Sequence, residues 1–302
     1  MNILVTGANG FIGSTFSRLA LSHGHQIAGL IRPSNPLPAI SSSSETVRWL
    51  KGTLAEPPWK EIEKFKPQAC LHLAWIATPG VYLESPENES YFHWSREFIG
   101  RVRELDAGQI VVAGTCLEYR LSNEKMSEDR TTVEPRTTYA RWKNALRVAL
   151  EEDAKKSSFR LCWSRVFYLY GAGEHPAKLC TSITQKLARG EKIVLKTPNN
   201  TKDYIYVDDL ASAFLTVLEK QFDGIINFGN GIGTTVKEIA QTIGRMMNRE
   251  ELIEIAVPPQ VDPLGDIVAD ASKLHGLGWK PEYDLRRGLE KIVATAPASS
   301  TR

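Results

Sequence analysis

The sequence predicts an α/β protein with a doubly wound parallel sheet and a smaller α/β lobe. Short apolar runs alternate with amphipathic stretches along the 302 residues, a pattern typical of parallel strands connected by helices. The apolar runs are nearly continuous, as in strands that helices cover on both faces. The first run leads directly into a glycine-rich turn, from Gly7 to Gly13, and then into a helical pattern.

Six strands and seven helices account for most of these patterns. The predicted strands are residues 3–6, 26–31, 46–50, 69–74, 109–113 and 159–166. The predicted helices are residues 11–22, 86–105, 136–155, 176–189, 208–220, 236–247 and 285–293. Residues 33–44 are rich in Pro and Ser, which predicts a surface loop.

The order of these patterns also predicts how the chain is divided. Residues 1–170 with 204–228 are expected to form the larger unit, since 204–227 again has a strand–helix–strand pattern that can rejoin the first sheet. Residues 171–203 with 229–293 are expected to form the smaller lobe, and 294–302 a flexible tail. Ligands of open α/β sheets bind beyond the carboxyl ends of the strands, which predicts a site between the two units.

Composition excludes several classes of protein. Lys and Arg number 37 against 35 Asp and Glu, too even a balance for a protein organised around nucleic-acid phosphates. No apolar run reaches the length of about 18 residues that a membrane helix needs. The sequence begins without the charged leader of a signal peptide. We therefore expect a cytoplasmic protein with neither nucleic acid nor membrane as a partner.

The cysteines predict no metal site. Cys70, Cys116, Cys162 and Cys180 form neither a Cys-x-x-Cys motif nor any zinc-type spacing. Cys70 and Cys162 lie inside apolar strand patterns, which favours buried thiols and a reducing compartment.

The glycine turn carries the first functional prediction. Gly7 permits the tight turn, Gly10 lets the backbone approach a pyrophosphate, and Gly13 lets helix and strand pack closely. The free N–H groups and the dipole of the following helix attract phosphate. A simple turn is the alternative, but the strand–turn–helix context favours a dinucleotide site in a Rossmann-type domain, with Asn9, Phe11 and Ile12 also at the cofactor.

The Gly-x-x-Gly-x-x-Gly spacing resembles that of the short-chain dehydrogenase/reductase superfamily, which also carries a Tyr-x-x-x-Lys pair. Tyr139 and Lys143 match that pair, downstream of a strand pattern that leads to Thr115. Tyr139 and Lys143 share one helix face, and the ammonium is expected to lower the tyrosine pKa from about 10 toward working pH. The resemblance implies that Tyr139 exchanges a proton with a substrate oxygen that Thr115 also binds, and that Lys143 holds the nicotinamide ribose.

Further segments, in order along the chain, resemble the extended branch of that superfamily, which includes nucleotide-sugar epimerases, dehydratases and reductases. They are residues 71–74, 165–171, 202–209, 269–273 and 277–281. The resemblance implies that Leu54, Leu73, Ala74 and Val166 contact the cofactor, together with Tyr139 and Lys143. It implies that Thr78, Cys116, Tyr168, Lys178, Leu179 and Lys202 contact the substrate.

The end of the second strand bears on the choice of cofactor. NAD-binding relatives place an acid there for the ribose 2′-hydroxyl, whereas this chain has Arg32. A guanidinium suits a 2′-phosphate, so NADP(H) is favoured and NAD(H) is the alternative, with Arg32 then a solvated loop residue. Thr53 stands where an Asp often contacts the adenine.

Departures from the family pattern narrow the reaction. Cys116 and Leu117 stand where 4,6-dehydratases carry the Asp-Glu of Thr-Asp-Glu, which argues against dehydration. Cys116 is one position away from the Cys of the GDP-fucose synthase type, which disfavours epimerisation beside a ketone. The two arginines that bind the diphosphate in the family are both altered. Lys202 replaces the first and keeps its charge, but it cannot form the two parallel hydrogen bonds of a guanidinium. Residues 261–266 lack the second.

These observations predict an NADPH-dependent reductase of a keto group, at C4, on a nucleotide-linked deoxysugar, with Tyr139 as proton donor. One alternative is an NAD(P)-dependent nucleotide-sugar epimerase that retains its cofactor. A second is a non-catalytic sensor of NADP(H). The resemblance also implies a homodimer formed through the helices predicted at 86–105 and 136–155.

Overall fold

The computed structural model describes residues 1–36, 47–122, 124–157 and 159–296. Residues 37–44 of the predicted loop, Thr46 of the predicted third strand and residues 297–302 of the predicted tail lie outside this part of the chain. None of the described helices is both long and apolar enough to cross a membrane. The four cysteines are free and buried.

The larger sheet has seven parallel strands, and all six predicted strands belong to it. In order across the sheet, the strands are β10 (Gly224–Phe228), β6 (Arg160–Val166), β5 (Gln109–Thr115), β4 (Ala69–His72), β1 (Asn2–Thr6), β2 (Gln26–Ile31) and β3 (Arg48–Lys51), so the direction of winding reverses between β1 and β4. The elements of this part of the chain are β1 (Asn2–Thr6), α1 (Phe11–Ser22), β2 (Gln26–Ile31), β3 (Arg48–Lys51), α2 (Trp59–Phe65), β4 (Ala69–His72), α3 (Glu87–Glu104), β5 (Gln109–Thr115), α4 (Thr138–Lys156) and β6 (Arg160–Val166).

The remaining elements alternate between the edge of this sheet and a smaller layer. They are β7 (Tyr168–Tyr170), α5 (Leu179–Ala188), β8 (Ile193–Leu195), β9 (Thr201–Tyr206), α6 (Val207–Glu219), β10 (Gly224–Phe228), β11 (Gly233–Thr235), α7 (Val236–Met247), β12 (Ile253–Ile255), α8 (Ser272–Gly276) and α9 (Leu285–Val293). β9 lies between β7 and β11 in a three-stranded sheet, and β8 pairs with β12.

Helices cover both faces of the larger sheet, as the continuous apolar strands predict. On one face α1 packs on α6, and Phe16, Phe214 and Phe228 are fully buried there. On the other face α3 packs on α4, and Phe98, Leu146 and Trp163 are buried. Burial on both faces fixes the sheet and leaves its carboxyl edge as the place for a site.

Of the two strands in the 204–227 segment, β10 joins the larger sheet, where it pairs with β6. The strand before it, β9, pairs with β7 instead, so the idea that this segment would return as a whole is wrong for its first strand. The alternation of side chains along β9 explains why this strand lies outside the larger sheet. Tyr204 and Tyr206 pack into a separate core with α5, α7 and α9, while Ile205, between them, belongs to the core of the larger sheet. The division into two domains stays a prediction.

Candidate active site

The turn between β1 and α1 forms one wall of a cleft of about 640 Å³ at the carboxyl edge of the sheet. Gly7 has φ +67°, and a side-chain carbon there would lie 3.1 Å from the Ala74 nitrogen just beyond β4. A side-chain carbon at Gly13 would lie 2.3 Å from the Gly7 carbonyl oxygen. Gly10 directly precedes α1 and offers no side-chain cap, which leaves backbone N–H groups of the first helical turn available for a phosphate. These residues therefore fit a dinucleotide.

The end of β4 is held beside this turn by a buried polar cluster. The Thr6 hydroxyl oxygen accepts hydrogen bonds of 3.1 Å from the Leu73 and Ala74 N–H groups and lies 3.1 Å from His72 Nδ1. The other ring nitrogen of His72 lies 2.9 Å from the Ser95 hydroxyl. Burial, with a smaller effect of Lys143, lowers the pKa of His72 to about 3, so the imidazole is neutral and structural.

Most of the predicted cofactor residues line this cleft. Arg32 lies at its rim, exposed, directly after β2. Thr78, predicted to contact substrate, lines this cleft rather than the cavity beside it. The other predicted residues on the cleft wall are Gly7, Asn9, Gly10, Phe11, Ile12, Gly13, Leu54, Leu73 and Ala74.

A second cavity of about 400 Å³ adjoins the cleft and brings the predicted catalytic residues together. Thr115, Tyr139 and Lys143 all line it, with Val166. Trp75, Leu169 and Lys178 line both the cleft and this cavity, so the two share a wall. We call this second space the substrate cavity.

Thr115 ends β5 and caps a short 3₁₀ turn formed by residues 116–118. Its hydroxyl oxygen accepts a hydrogen bond of 3.2 Å from the Leu117 N–H, and its own N–H donates to Glu118 Oε1 at 3.1 Å. Because that oxygen acts as an acceptor within the turn, the hydroxyl can still donate its own hydrogen, to the Tyr139 oxygen or to a substrate oxygen.

Tyr139 and Lys143 lie on one face of α4, as their spacing predicts. Thr137 caps this helix by accepting from the Ala140 N–H, and the Tyr139 N–H donates to the Leu83 carbonyl oxygen at 2.9 Å. Lys143 Nζ donates to the Ala113 carbonyl oxygen at 2.8 Å and lies 4.0 Å from the centre of the Trp75 ring. The ammonium is thus anchored at the end of β5.

The expected lowering of the Tyr139 pKa is wrong for this structure. Burial, with smaller contributions from Tyr82, Cys116 and Glu118, raises the pKa of Tyr139 far above its ordinary value, and hydrogen bonding with Thr115 offsets little of this. Lys143 Nζ lies 6.0 Å from the tyrosine ring centre, and burial lowers its own pKa to about 7. Tyr139 therefore carries its proton at neutral pH, as a proton donor must.

The predicted substrate residues divide into two groups. Cys116, Tyr168, Lys178 and Leu179 line the substrate cavity. Lys202 lines neither space: it is 2% exposed, lies 3.3 Å from Asp262 Oδ2 and donates to the Gly265 carbonyl oxygen. Its interpretation as a substrate anchor is not supported by this geometry, because the acid that follows β12 in sequence neutralises its charge.

Tyr82, Glu174 and Trp75 are among the residues that line the substrate cavity without having been predicted. Tyr82 contacts Tyr139 edge to face, with ring centres 5.0 Å apart. Glu174 is buried, accepts from the Thr181 N–H at 3.0 Å and has a pKa raised by burial. Trp75 directly follows His72-Leu73-Ala74, at a position where the family has a second alanine. Of these three residues, only Trp75 could have been noticed in the sequence, by this difference from the family pattern.

No three His, Cys, Asp or Glu side chains within the described ranges are grouped so that they could hold a metal ion. A glycine-cradled cleft that opens into a cavity with Thr, Tyr and Lys defines the class of dinucleotide-dependent, oxidoreductase-type enzymes.

The family model confirms the class and makes it specific. Residues 3–229 match the model described as "NAD dependent epimerase/dehydratase family", and the chain belongs to that family. The extended short-chain dehydrogenase/reductase resemblance is thereby confirmed.

Individual relatives agree with this assignment. A UDP-glucose 4-epimerase of Rhizobium leguminosarum bv. trifolii is 28% identical over 94% of this chain and 93% of its own length. A dTDP-D-glucose 4,6-dehydratase of Bos taurus is 24% identical over 65% of this chain and 57% of its own. The UDP-glucose 4-epimerase of Thermus thermophilus, solved as a complex with NAD, superposes with a TM-score of 0.82 at 24% identity, over 97% of this chain and 98% of its own. That likeness confirms the fold.

Proposed function

We propose that this enzyme reduces a keto group, at C4, of a nucleotide-linked deoxysugar at the expense of NADPH. The observation that carries the proposal is the convergence of Thr115, Tyr139 and Lys143 on one cavity that opens into the dinucleotide cleft. A carbonyl oxygen in that cavity meets two hydroxyl donors and lies close to an ammonium.

Each residue has a separate role in this chemistry. When bound, the nicotinamide supplies the hydride. Thr115 donates a hydrogen bond that orients the carbonyl oxygen, and Tyr139 gives that oxygen its proton as the alkoxide forms. Lys143 holds the nicotinamide ribose from its anchor on the Ala113 carbonyl oxygen.

The substrate cavity supports reduction better than elimination. Dehydration needs an additional acid and base, and residues 116 and 117 are Cys and Leu. Burial raises the pKa of the Cys116 thiol to about 12, so the thiol is a poor acid or base near neutral pH. Among the described residues, Glu174 supplies the carboxyl group that lines this cavity, and it already accepts a hydrogen bond from the Thr181 N–H in α5.

The charges near the substrate cavity also favour one position for the diphosphate of a nucleotide sugar. Lys202 is engaged with Asp262, whereas Lys178 lines both the cleft and the cavity. Lys178 precedes α5, and Leu179 and Cys180 at the start of this helix line the same space, where the helix dipole adds positive charge next to Glu174, which binds the Thr181 N–H. We therefore assign the diphosphate to Lys178 and the start of α5.

Epimerisation with a retained cofactor is the second candidate. It is favoured by the relatives named UDP-glucose 4-epimerase, one of which matches 94% of this chain. An epimerase needs the same three residues but returns the hydride to the sugar, so cofactor stoichiometry separates the two candidates.

A spectrophotometric assay combined with chromatography of the sugar makes that separation. With a 4-keto-6-deoxyhexose nucleotide, we expect one NADPH to be consumed for each alcohol formed. If isomerised sugar accumulates while the nicotinamide absorbance stays constant, the enzyme is an epimerase. Tight NADP(H) binding without any product would instead indicate the non-catalytic sensor.

We also propose a homodimer that forms through α3 and α4, the second of which carries Tyr139 and Lys143. α3 and α4 pack side by side, and their partly buried Phe92 and Trp142 rings lie 5.1 Å apart. Sedimentation equilibrium of the purified protein measures this directly.

Cofactor affinity is expected to fall as the pH rises above about 7. Burial lowers the pKa of Lys143 to about 7 in the protein without cofactor. The side chain is therefore mostly protonated below that pH and mostly neutral above it. A hydrogen bond from a charged group contributes about 1.5–3 kcal/mol, so the Kd for NADPH should rise about tenfold or more by pH 9.

Fluorescence titration between pH 7 and pH 9 measures this effect, above the range in which the 2′-phosphate titrates. The Lys143→Ala variant is the control, and its weaker binding should not change with pH. A wild-type Kd that is constant over this range contradicts the role of Lys143.

A further inference from the structure

A buried carboxylate lies directly behind Thr115. Glu118 has no exposed surface. Its carboxylate accepts hydrogen bonds from the Thr115 backbone N–H at 3.1 Å, from the Trp163 indole N–H at 3.0 Å and from Arg165 Nε at 2.9 Å. Arg165 is itself 1% exposed. A buried charge is costly unless it is paired and hydrogen-bonded, so this position is built for a carboxylate.

The backbone beside Thr115 is shaped to admit this carboxylate. A side-chain carbon at Gly114 would lie 2.3 Å from the Trp163 indole nitrogen and 2.9 Å from Glu118 Oε1. The glycine therefore lets both groups reach the end of β5. Because Glu118 holds the Thr115 N–H while the Thr115 oxygen holds the Leu117 N–H, the backbone and the side-chain torsion of Thr115 are both fixed.

The ion pair also connects the two strands that form the floor of the substrate cavity. Gly114 pairs with Arg165, and Thr115 with Val166, in the register of β5 and β6. Thr115 and Val166 line the cavity, whereas Glu118 and Arg165 do not. Glu118 can therefore affect the substrate only indirectly, through the position of Thr115 and through its charge.

We propose that Glu118 is a positioning residue of this active site, which aims the Thr115 hydroxyl at the substrate oxygen by binding the Thr115 N–H group. The inference rests on the proposed function, since it concerns how Thr115 meets a carbonyl oxygen. It identifies a role for an acid that neither the glycine turn nor the Tyr-x-x-x-Lys pair indicates.

Electrostatics supports the same arrangement. The negative charge of Glu118 opposes the lowering of the Lys143 pKa by burial and adds to the raising of the Tyr139 pKa. Both effects favour the protonated forms, ammonium and phenol, that carbonyl reduction requires.

The Glu118→Asp variant separates position from charge. Aspartate retains the negative charge beside Arg165 but is one methylene shorter, so it cannot hold the Thr115 N–H in the same place. We expect kcat to fall about 10–100-fold, because small misplacements of reacting groups carry costs of that size, while the variant stays folded and its Kd for NADPH stays close to wild type.

Two comparisons make the test specific. In the Thr115→Ala background the same Glu118→Asp change should cost less than about twofold in kcat, since the hydroxyl that it aims is gone. Ser164→Ala removes a buried hydrogen bond of β6, from the Ser164 hydroxyl to the Val112 carbonyl oxygen at 2.9 Å, and leaves every hydrogen bond of Glu118 and Thr115 in place, so its kcat should stay within about twofold of wild type.

Equal losses in the two backgrounds, or an unchanged kcat in Glu118→Asp, overturn the inference. If Glu118→Asp does not fold, the neutral pair Glu118→Leu/Arg165→Met, which removes the acceptor for the Thr115 N–H and leaves no unpaired buried charge, serves in the same cycle with the same expectations. A wild type that reduces no keto-sugar nucleotide overturns the proposed function and this inference with it. Loss of turnover in Thr115→Ala with none in Glu118→Asp overturns the inference alone.

Discussion

Replacing Tyr139 by phenylalanine is expected to lower kcat for carbonyl reduction about 10²–10⁴-fold, the usual contribution of a positioned proton donor. Burial keeps this phenol protonated at neutral pH, so its hydroxyl is the group that is lost. The glycine turn and Lys143 are untouched, and the Kd for NADPH should stay close to wild type. Steady-state kinetics and a cofactor titration of the same preparation measure both quantities.

Tyr82→Phe is the matched control for this change. Tyr82 lines the same cavity and its ring packs edge to face on that of Tyr139, with ring centres 5.0 Å apart. Removal of its hydroxyl alters the cavity to a similar degree without removing the proposed proton donor. More than about a tenth of kcat remaining in Tyr139→Phe, or an equal loss in Tyr82→Phe, contradicts the assignment.

The Arg32→Asp variant is expected to reverse the preference between the two cofactors. A charge-assisted hydrogen bond of about 1.5–3 kcal/mol corresponds to a 10–150-fold preference of the wild type for NADPH over NADH. Aspartate repels a 2′-phosphate and accepts from a 2′-hydroxyl, so the variant should bind NADH more tightly. Titration of both cofactors against both proteins gives the four dissociation constants.

Arg48→Asp makes the same change of charge on the neighbouring strand. Arg48 begins β3, at the end of the strand away from the cleft, and does not line it. Its replacement should leave the cofactor preference within about twofold, because exposed charges are well screened beyond a Debye length. Wild-type protein that binds NADH as tightly as NADPH shows that Arg32 is a solvated loop residue and that NAD is the cofactor.

The features that the sequence predicted correctly are the ones that local patterns determine. The Gly7 to Gly13 turn follows a strand and opens a helix within a few residues, and it forms the cleft wall as expected. The six apolar runs became adjacent parallel strands because burial on both faces leaves such a run no other stable place. Tyr139 and Lys143 share a helix face for the same local reason.

The features that were missed depend on partners distant in sequence. Lys202 was expected to contact substrate, but Asp262, sixty residues further along the chain, binds it. The Tyr139 pKa was expected to fall, since the sequence places a lysine nearby but does not show how completely the site excludes water. Tyr82 reaches the cavity from a loop with no periodic pattern. In each case the decisive contact is long-range.

The wall shared by the cleft and the substrate cavity has a consequence for binding equilibria. Both spaces are lined by Trp75, Leu169 and Lys178. A molecule bound in one space that moves these side chains therefore changes the binding free energy of a molecule in the other. Such a shift appears as a coupling free energy, and thermodynamic linkage makes it reciprocal. The factor by which cofactor changes the affinity for the sugar nucleotide must then equal the factor by which the sugar nucleotide changes the affinity for cofactor.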